Sequence, residues 1–196
     1  MNIDNINTLD LEDRLRQILK PQRYKHTLGV AYTAASLAMK YGENIKKAYV
    51  CGILHDCAKY LSPEELLKTA EDNNLDISVC ERKKPDLLHS KVGAFFARKL
   101  YEIEDDDILE AIIYHTTGKP DMNMLQKIIF ISDYIEPSRY KMNRLNEIRK
   151  IAFEDIDKAL YMILEDTLEY LNKTMEVVDP MTEKTFLYYK DKKNDN

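Results

Sequence analysis

Tryptophan is absent from this 196-residue chain, and glycine (five), proline (six), cysteine (three) and histidine (four) are scarce. With so few glycines and prolines and no Asn-Gly or Asp-Gly pair, there is little from which to build tight β-hairpins. The cysteines Cys51, Cys57 and Cys80 are odd in number and form no Cys-x-x-Cys pair, so they read as reduced thiols of a cytoplasmic protein and not as a disulfide frame. No apolar run approaches the roughly 18 residues of a membrane span, and the polar, acidic stretch from Met1 to Asp13 lacks the apolar centre of a signal peptide. A basic excess is also missing. The formal net charge of −5 argues against a protein that grips a nucleic-acid backbone, while leaving room for a small anion held by a few local cations or by a metal.

What is present fits one globular unit. Hydrophobic residues make up 44% and charged residues 32%, ordinary for a folded domain, and the length supports a real core. Apolar residues recur at helical spacing. Leu11, Leu15, Ile18 and Leu19 mark a first helix, stopped near Pro21. Pro21 then suits the first turn of a second helix, which passes His26, Val30 and Leu37 and stops at Gly42. A third carries Ala48, Val50, Cys51 and Leu54 and ends in His55-Asp56. Ser62-Pro63-Glu64-Glu65 has the form of a capping box opening another. Further helices are expected over Leu87 to Tyr101, Asp106 to His115, Met124 to Ile135, Leu145 to Phe153 and Asp155 to Met175. Pro180 and Met181 are expected to break the pattern before a short segment from Thr182 to Lys190 and a polar, frayed tail over 190–196. The expectation is an all-α protein, one domain over 1–196 with its core over about 11–171. Asp105-Asp106-Asp107 reads as a helix start, where carboxylates interact well with the positive end.

The four histidines, His26, His55, His89 and His115, all fall in or at the end of expected helices among apolar neighbours. Taken singly, each reads as a satisfied core or surface histidine. Two aspartates change the balance. Asp56 ends an apolar helix and Asp133 follows Ile128, Ile129, Phe130 and Ile131. An ionised carboxylate placed there costs several kcal/mol unless a strong positive partner compensates it. For Asp133 that partner could be Lys59 or Arg139 in a plain ion pair, or a metal. Imidazole and carboxylate together suit iron, manganese, cobalt or zinc, and bundles build such sites from inward-facing side chains of several helices.

The order His26, His55-Asp56, His89, His115, Asp133 resembles the HD-domain superfamily of metal-dependent phosphohydrolases. The segments Arg23 to Val30, His55-Asp56-Cys57-Ala58-Lys59, Leu87-Leu88-His89, His115-Thr116-Thr117-Gly118 and Ile131 through Asp133-Tyr134-Ile135-Glu136-Pro137-Ser138-Arg139 narrow this to the bacterial YqeK family, over about Leu11 to Leu171. One departure is Ser90-Lys91, where that family tends to have Gly-Pro. The resemblance implies an HD-type helical bundle and a symmetrical bis(5'-nucleosyl)-tetraphosphatase that cuts diadenosine tetraphosphate into two ADP and binds a nucleoside diphosphate. It implies a divalent metal, iron first, held by His26, His55, Asp56 and Asp133, with His89 and His115 serving a second metal or hydrogen-bonding phosphate oxygens. Asp56, Lys59, His89 and His115 form the expected catalytic set. Substrate binding is expected from Arg23, Lys59, His89, His115, Thr116, Thr117 and Arg139, with Gly118 letting the backbone approach the ligand. In this reading a metal lowers the pKa of bound water so that hydroxide attacks the central phosphorus.

Two alternatives stand beside it. One is another HD-type nucleotide phosphohydrolase or phosphodiesterase, although no Gly-Tyr-Pro segment is present to suggest the cyclic-dinucleotide type. The other is a nucleotide-binding module without turnover, against which the complete ligand set speaks. Neither a membrane nor a nucleic acid is expected as partner. The sequence leaves oligomeric state open, with a homodimer the first case to test because two-fold symmetry is commonest.

Overall fold

The computed structural model describes Ile3 and residues 6–194. Among these residues it contains eleven α-helices and no strand. They are α1 Thr8–Ile18, α2 Pro21–Tyr41, α3 Ile45–Leu54, α4 Pro63–Asp72, α5 Val79–Lys83, α6 His89–Leu100, α7 Asp106–Tyr114, α8 Met124–Ile135, α9 Leu145–Ile151, α10 Ile156–Thr174 and α11 Pro180–Asn194. A 3-10 turn, Pro85–Leu88, joins α5 to α6. No helix among the described residues is long and apolar enough to cross a membrane.

Local chemistry accounts for most boundaries. Pro21 opens α2, and Gly42 closes it at φ 71°, a left-handed position that glycine adopts without strain. Ser62 and Glu65 form the expected capping box, and Asn123 with Gln126 forms another at α8. Asp105 caps α7 by accepting from the N–H groups of Asp107 and Ile108. Lys47 pairs with both Asp105 and Asp107, so the aspartate run is a helix start.

Three boundaries differ from the sequence-based expectation. The helix expected from Leu87 begins at His89, because Pro85 opens a separate 3-10 turn. The short α5 was not expected; it is set by a second capping box between Ser78 and Glu81. Pro180 does not break the last segment but occupies its first turn, where a missing N–H costs nothing, and α11 runs on through Lys190 to Asn194. The end of the expected polar tail, 195–196, lies outside the described residues.

The packing centre is the trio α2, α3 and α8. Ile128, Ile129 and Ile131 of α8 are buried, each worth about 1.5–3 kcal/mol relative to exposure. Helices α2 and α3 cross closely at Gly52, where a Cβ would lie 2.7 Å from Ala31 Cα. Helix α7 joins α6 to α8, and α10 packs on α8, α9 and α11. A smaller cluster of Ala58, Leu66, Ala70, Leu88 and Val92 holds α4 under the turn that leads into α6. The four histidines thereby come to one place: His26 from α2, His55 from the end of α3, His89 from the start of α6 and His115 from the end of α7.

Candidate metal centre

Asp56 is the hub. Its Oδ2 lies 3.5 Å from His55 Nε2 and 4.0 Å from His26 Nε2, while its Oδ1 lies 3.5 Å from Nε2 of both His89 and His115. Each oxygen therefore faces a different pair of imidazoles. Adjacent helical residues would point about 100° apart. Here α3 has ended at Leu54 and unwinds into tight turns, with Cys57 N–H on Leu54 O and Lys59 N–H on Asp56 O, so His55 and Asp56 both turn inward. From α8, Asp133 Oδ1 comes within 3.0 Å of His26 Nε2.

The outer ring nitrogens determine what the inner ones offer. Carbonyl oxygens of Gly52, Asp86 and Ile112 lie 2.7, 2.6 and 2.7 Å from Nδ1 of His55, His89 and His115. A carbonyl can only accept, so each Nδ1 carries the proton and each Nε2 presents a lone pair. His89 and His115 bring those lone pairs to 3.2 Å of one another, and Thr116 Oγ1, 3.3 Å from both, has one proton to give. Among the buried atoms without a hydrogen-bond partner are His26 Nε2, His55 Nε2 and Asp56 Oδ1. Bare imidazole nitrogens converging on carboxylates, with backbone carbonyls fixing the tautomers, are the arrangement that receives a divalent cation. Three overlapping groups meet that requirement, each with donor atoms mutually within 4.8 Å: His26, His55 and Asp56; His55, His115 and Asp133; and Asp56, His89 and His115.

The charges agree with this. Burial would raise the Asp56 carboxyl, but charge and hydrogen bonds from His55, His115 and His89, in their protonated forms, hold it well below the usual carboxylate range. Asp133 is held down likewise, against burial, by His26, His55 and Arg139. Burial, then the Lys59 cation, push His89 down to about 3, so its ring is neutral at physiological pH. Burial opposes charge on His26, yet Asp133 and Glu136 raise its pKa.

The expected substrate-side residues are distributed unevenly. Arg23 reaches Asp56 Oδ2 at 2.8 Å. Arg139 turns back as anticipated and grips Asp133 with two contacts, Nε to the backbone carbonyl at 3.0 Å and a terminal nitrogen to Oδ1 at 2.6 Å. The plain ion pair and the histidine cluster thus share Asp133. Lys59 is not on a continued helix, but its ammonium feels Asp56 strongly and burial lowers its pKa. Thr116 joins the cluster, whereas Thr117 Oγ1 is spent on Gly118 O. The role expected for Gly118 needs correction: a Cβ there would lie 2.7 Å from Thr185 Cγ2, so its free space is taken by α11 and not by a ligand. At Ser90-Lys91 the backbone is regular helix, with Ser90 Oγ donating to Leu87 O and Lys91 paired to Glu81.

Sequence reasoning passed over Glu136. It is 1% exposed and its Oε1 lies 2.9 Å from His26 Nδ1, while Ser138 donates to it through both N–H and hydroxyl. The available signal was its spacing, three residues after Asp133 at the end of a buried helix, and Gly29 three residues after His26, where a Cβ would lie 2.4 Å from Glu136 Oε2.

A helical bundle that gathers these side chains in this chain order is the architecture of the HD domain, and the HD domain family matches residues 23–138. The chain belongs to this family of metal-dependent phosphohydrolases. Within it, the chain falls in the YqeK-like branch. It is 38% identical over 89% of its length to a relative from Bacillus subtilis named bis(5'-nucleosyl)-tetraphosphatase, symmetrical, of which it covers 91%. A protein of the same name from Staphylococcus aureus is 33% identical over 91% of the chain and is covered to 94%. The fold also superposes, with a TM-score of 0.91 and 36% identity over 95% of this chain and 98% of the other, on a crystal structure from Clostridium acetobutylicum described as a predicted HD superfamily hydrolase involved in NAD metabolism.

Proposed function

We propose that this protein is a symmetrical bis(5'-nucleosyl)-tetraphosphatase, hydrolysing diadenosine tetraphosphate to two ADP in the cytoplasm, as a single domain over 1–196. The relatives' name supports the substrate. One observation carries the chemistry: Asp56 is buried with each of its oxygens toward a different histidine pair.

His26, His55, Asp56 and Asp133 would hold the first divalent cation, with iron the first candidate and manganese, cobalt or zinc acceptable to the same donors. His89 and His115 would complete a second cation site with Asp56, or, where one ion suffices, hydrogen-bond phosphate oxygens once a proton is bound at Nε2. Bound there, a cation supplies Lewis acidity and lowers the pKa of water. The remaining steps belong to this chain's own side chains. Arg139, fixed by Asp133, offers a planar fork suited to a phosphate. Arg23 borders the cluster through its pairing with Asp56 Oδ2. Lys59, half-buried and without an ion-pair partner among the described residues, contributes a point charge that stabilises the extra negative charge developing on the phosphoryl oxygens. Thr116 can turn its hydroxyl from the two imidazoles to a phosphate oxygen. The protein is proposed to act on a dinucleoside polyphosphate, with a homodimer as the oligomer to test.

The deciding experiment is metal analysis of anaerobically purified protein coupled to product identification. ADP as sole product, abolished by Asp56→Ala and by chelation, is the expected result; ATP with AMP would overturn the reading.

A further inference from the structure

Two grooves meet at the His–Asp cluster. One, of about 340 Å³, is lined by aromatic and apolar groups that include Phe130, Tyr134, Ile163 and Tyr170. The other, of about 540 Å³, is lined by Gln22, Arg23, Lys25, Ser138, Tyr140 and Lys141. Arg139, Lys141 and Met142 line both, so the segment from Ser138 to Asn143 is the wall between them.

The second groove is cationic. Four cations line it, Arg23, Lys25, Arg139 and Lys141; Arg23 and Arg139 are paired with Asp56 and Asp133, and the one carboxylate of the lining, Glu136, is already engaged by His26 and Ser138. Lys25 and Lys141 are exposed, and neither has a carboxylate partner among the described residues. Lys141 Nζ instead lies 5.4 Å from the Tyr140 ring centroid, and Tyr140 is 78% exposed. A large exposed aromatic surface beside unpaired cations is a poor structural feature but a good receptor: the ring offers a face to a base, and the lysines offer charge to phosphates.

We propose that this second groove binds the second nucleoside diphosphate half of a dinucleoside tetraphosphate, the first half lying in the aromatic cavity. This rests on the tetraphosphatase reading above. A single nucleoside pocket would set only the distance of the cut from one end of the chain of phosphates. A second recognition site, across Arg139 from the first, adds a requirement for a nucleoside at the other end and places the cluster between equal halves.

The test uses the full-length, metal-loaded protein and the double substitution Lys25→Glu with Tyr140→Ala. Both side chains are exposed, so an unchanged melting temperature is the check on folding. The KM for diadenosine tetraphosphate should rise about tenfold, equivalent to ~1.4 kcal/mol. Calorimetry with ADP should count two molecules per wild-type chain and one per variant chain. An unchanged KM, a single ADP on the wild type, or two on the variant would overturn the proposal. Wild-type protein that releases no ADP from the tetraphosphate would defeat the functional reading instead, and the ADP count would still decide the groove.

Discussion

His26 Nδ1 and Glu136 Oε1 lie 2.9 Å apart, joined across 110 residues of chain. The carboxylate fixes the imidazole so that Nε2 faces the cluster, the supporting contact found behind many metal-binding histidines. Glu136→Ala should lower metal affinity about ten- to hundredfold, measured by competition with a chelating dye, with Glu136→Gln intermediate because its amide oxygen can still accept. Gly29→Ala should act in the same direction, since its Cβ would lie 2.4 Å from Glu136 Oε2 and displace that carboxylate. Wild-type metal affinity in Glu136→Ala would show that His26 needs no such support.

The crossing of α2 and α3 should be intolerant of a single methyl. In Gly52→Ala the new carbon meets Ala31 Cα at 2.7 Å and Ala31 N at 3.0 Å, backbone against backbone. Overpacking of this kind costs about 1–3 kcal/mol, and it separates the helices bearing His26 and His55. Gly93→Ala is the matched control, because its nearest neighbour would be Ile112 Cγ2 at an ordinary 3.5 Å. Urea unfolding should separate the two variants clearly; equal midpoints would refute the steric account.

Lys59 is where activity and stability should part. Burial lowers its pKa more than Asp56 supports it, so the folded state carries its charge at a cost. Lys59→Met should leave the melting temperature unchanged or higher while reducing kcat/KM on diadenosine tetraphosphate by at least about tenfold, ~1.4 kcal/mol in transition-state stabilisation. A variant of unaltered activity would remove Lys59 from the reaction.

Removing the metal should destabilise the protein, because an ion that binds only the folded state adds about 2.7 kcal/mol when present at 100 times its dissociation constant. A thermal melt with and without chelator reads this directly. The same melt on Asp56→Ala should lose most of the difference.

Asp157 ties three helices together away from the site, pairing with Lys127 of α8 at 2.6 Å and Lys192 of α11 at 2.8 Å from its place on α10. Burial raises its pKa, but the two lysines outweigh burial and bring it below the usual aspartate value. A carboxylate depressed in the folded state adds stability that is present above the unfolded pKa of about 3.9 and lost as pH falls through the folded value. Asp157→Asn should therefore melt below wild type at pH 7, with the gap closing below about pH 4. A gap constant with pH would assign the effect to packing alone.

The helices were legible in the sequence because their causes are local. Pro21 and Gly42 bound α2, the Ser62–Glu65 box starts α4, and apolar spacing locates α8 and α10. The six metal-type side chains were legible from residue chemistry and from the family pattern. Less visible were elements whose cause is a neighbour distant in sequence. Gly118 was read as facing a ligand because nothing in its own segment announces Thr185. Glu136 went unassigned because a buried carboxylate is recognised by what surrounds it.

By itself, then, the chain's sequence determined the helical class, the caps and the stock of imidazoles and carboxylates, since each depends on backbone preferences and side-chain types within a few residues. Only the tertiary structure decided that Asp56 turns one oxygen to His26 and His55 and the other to His89 and His115, that Glu136 stands behind His26, and that two unlike grooves flank Arg139. Those relations are distances between segments far apart in the chain, and distances of that kind exist only once the helices have packed.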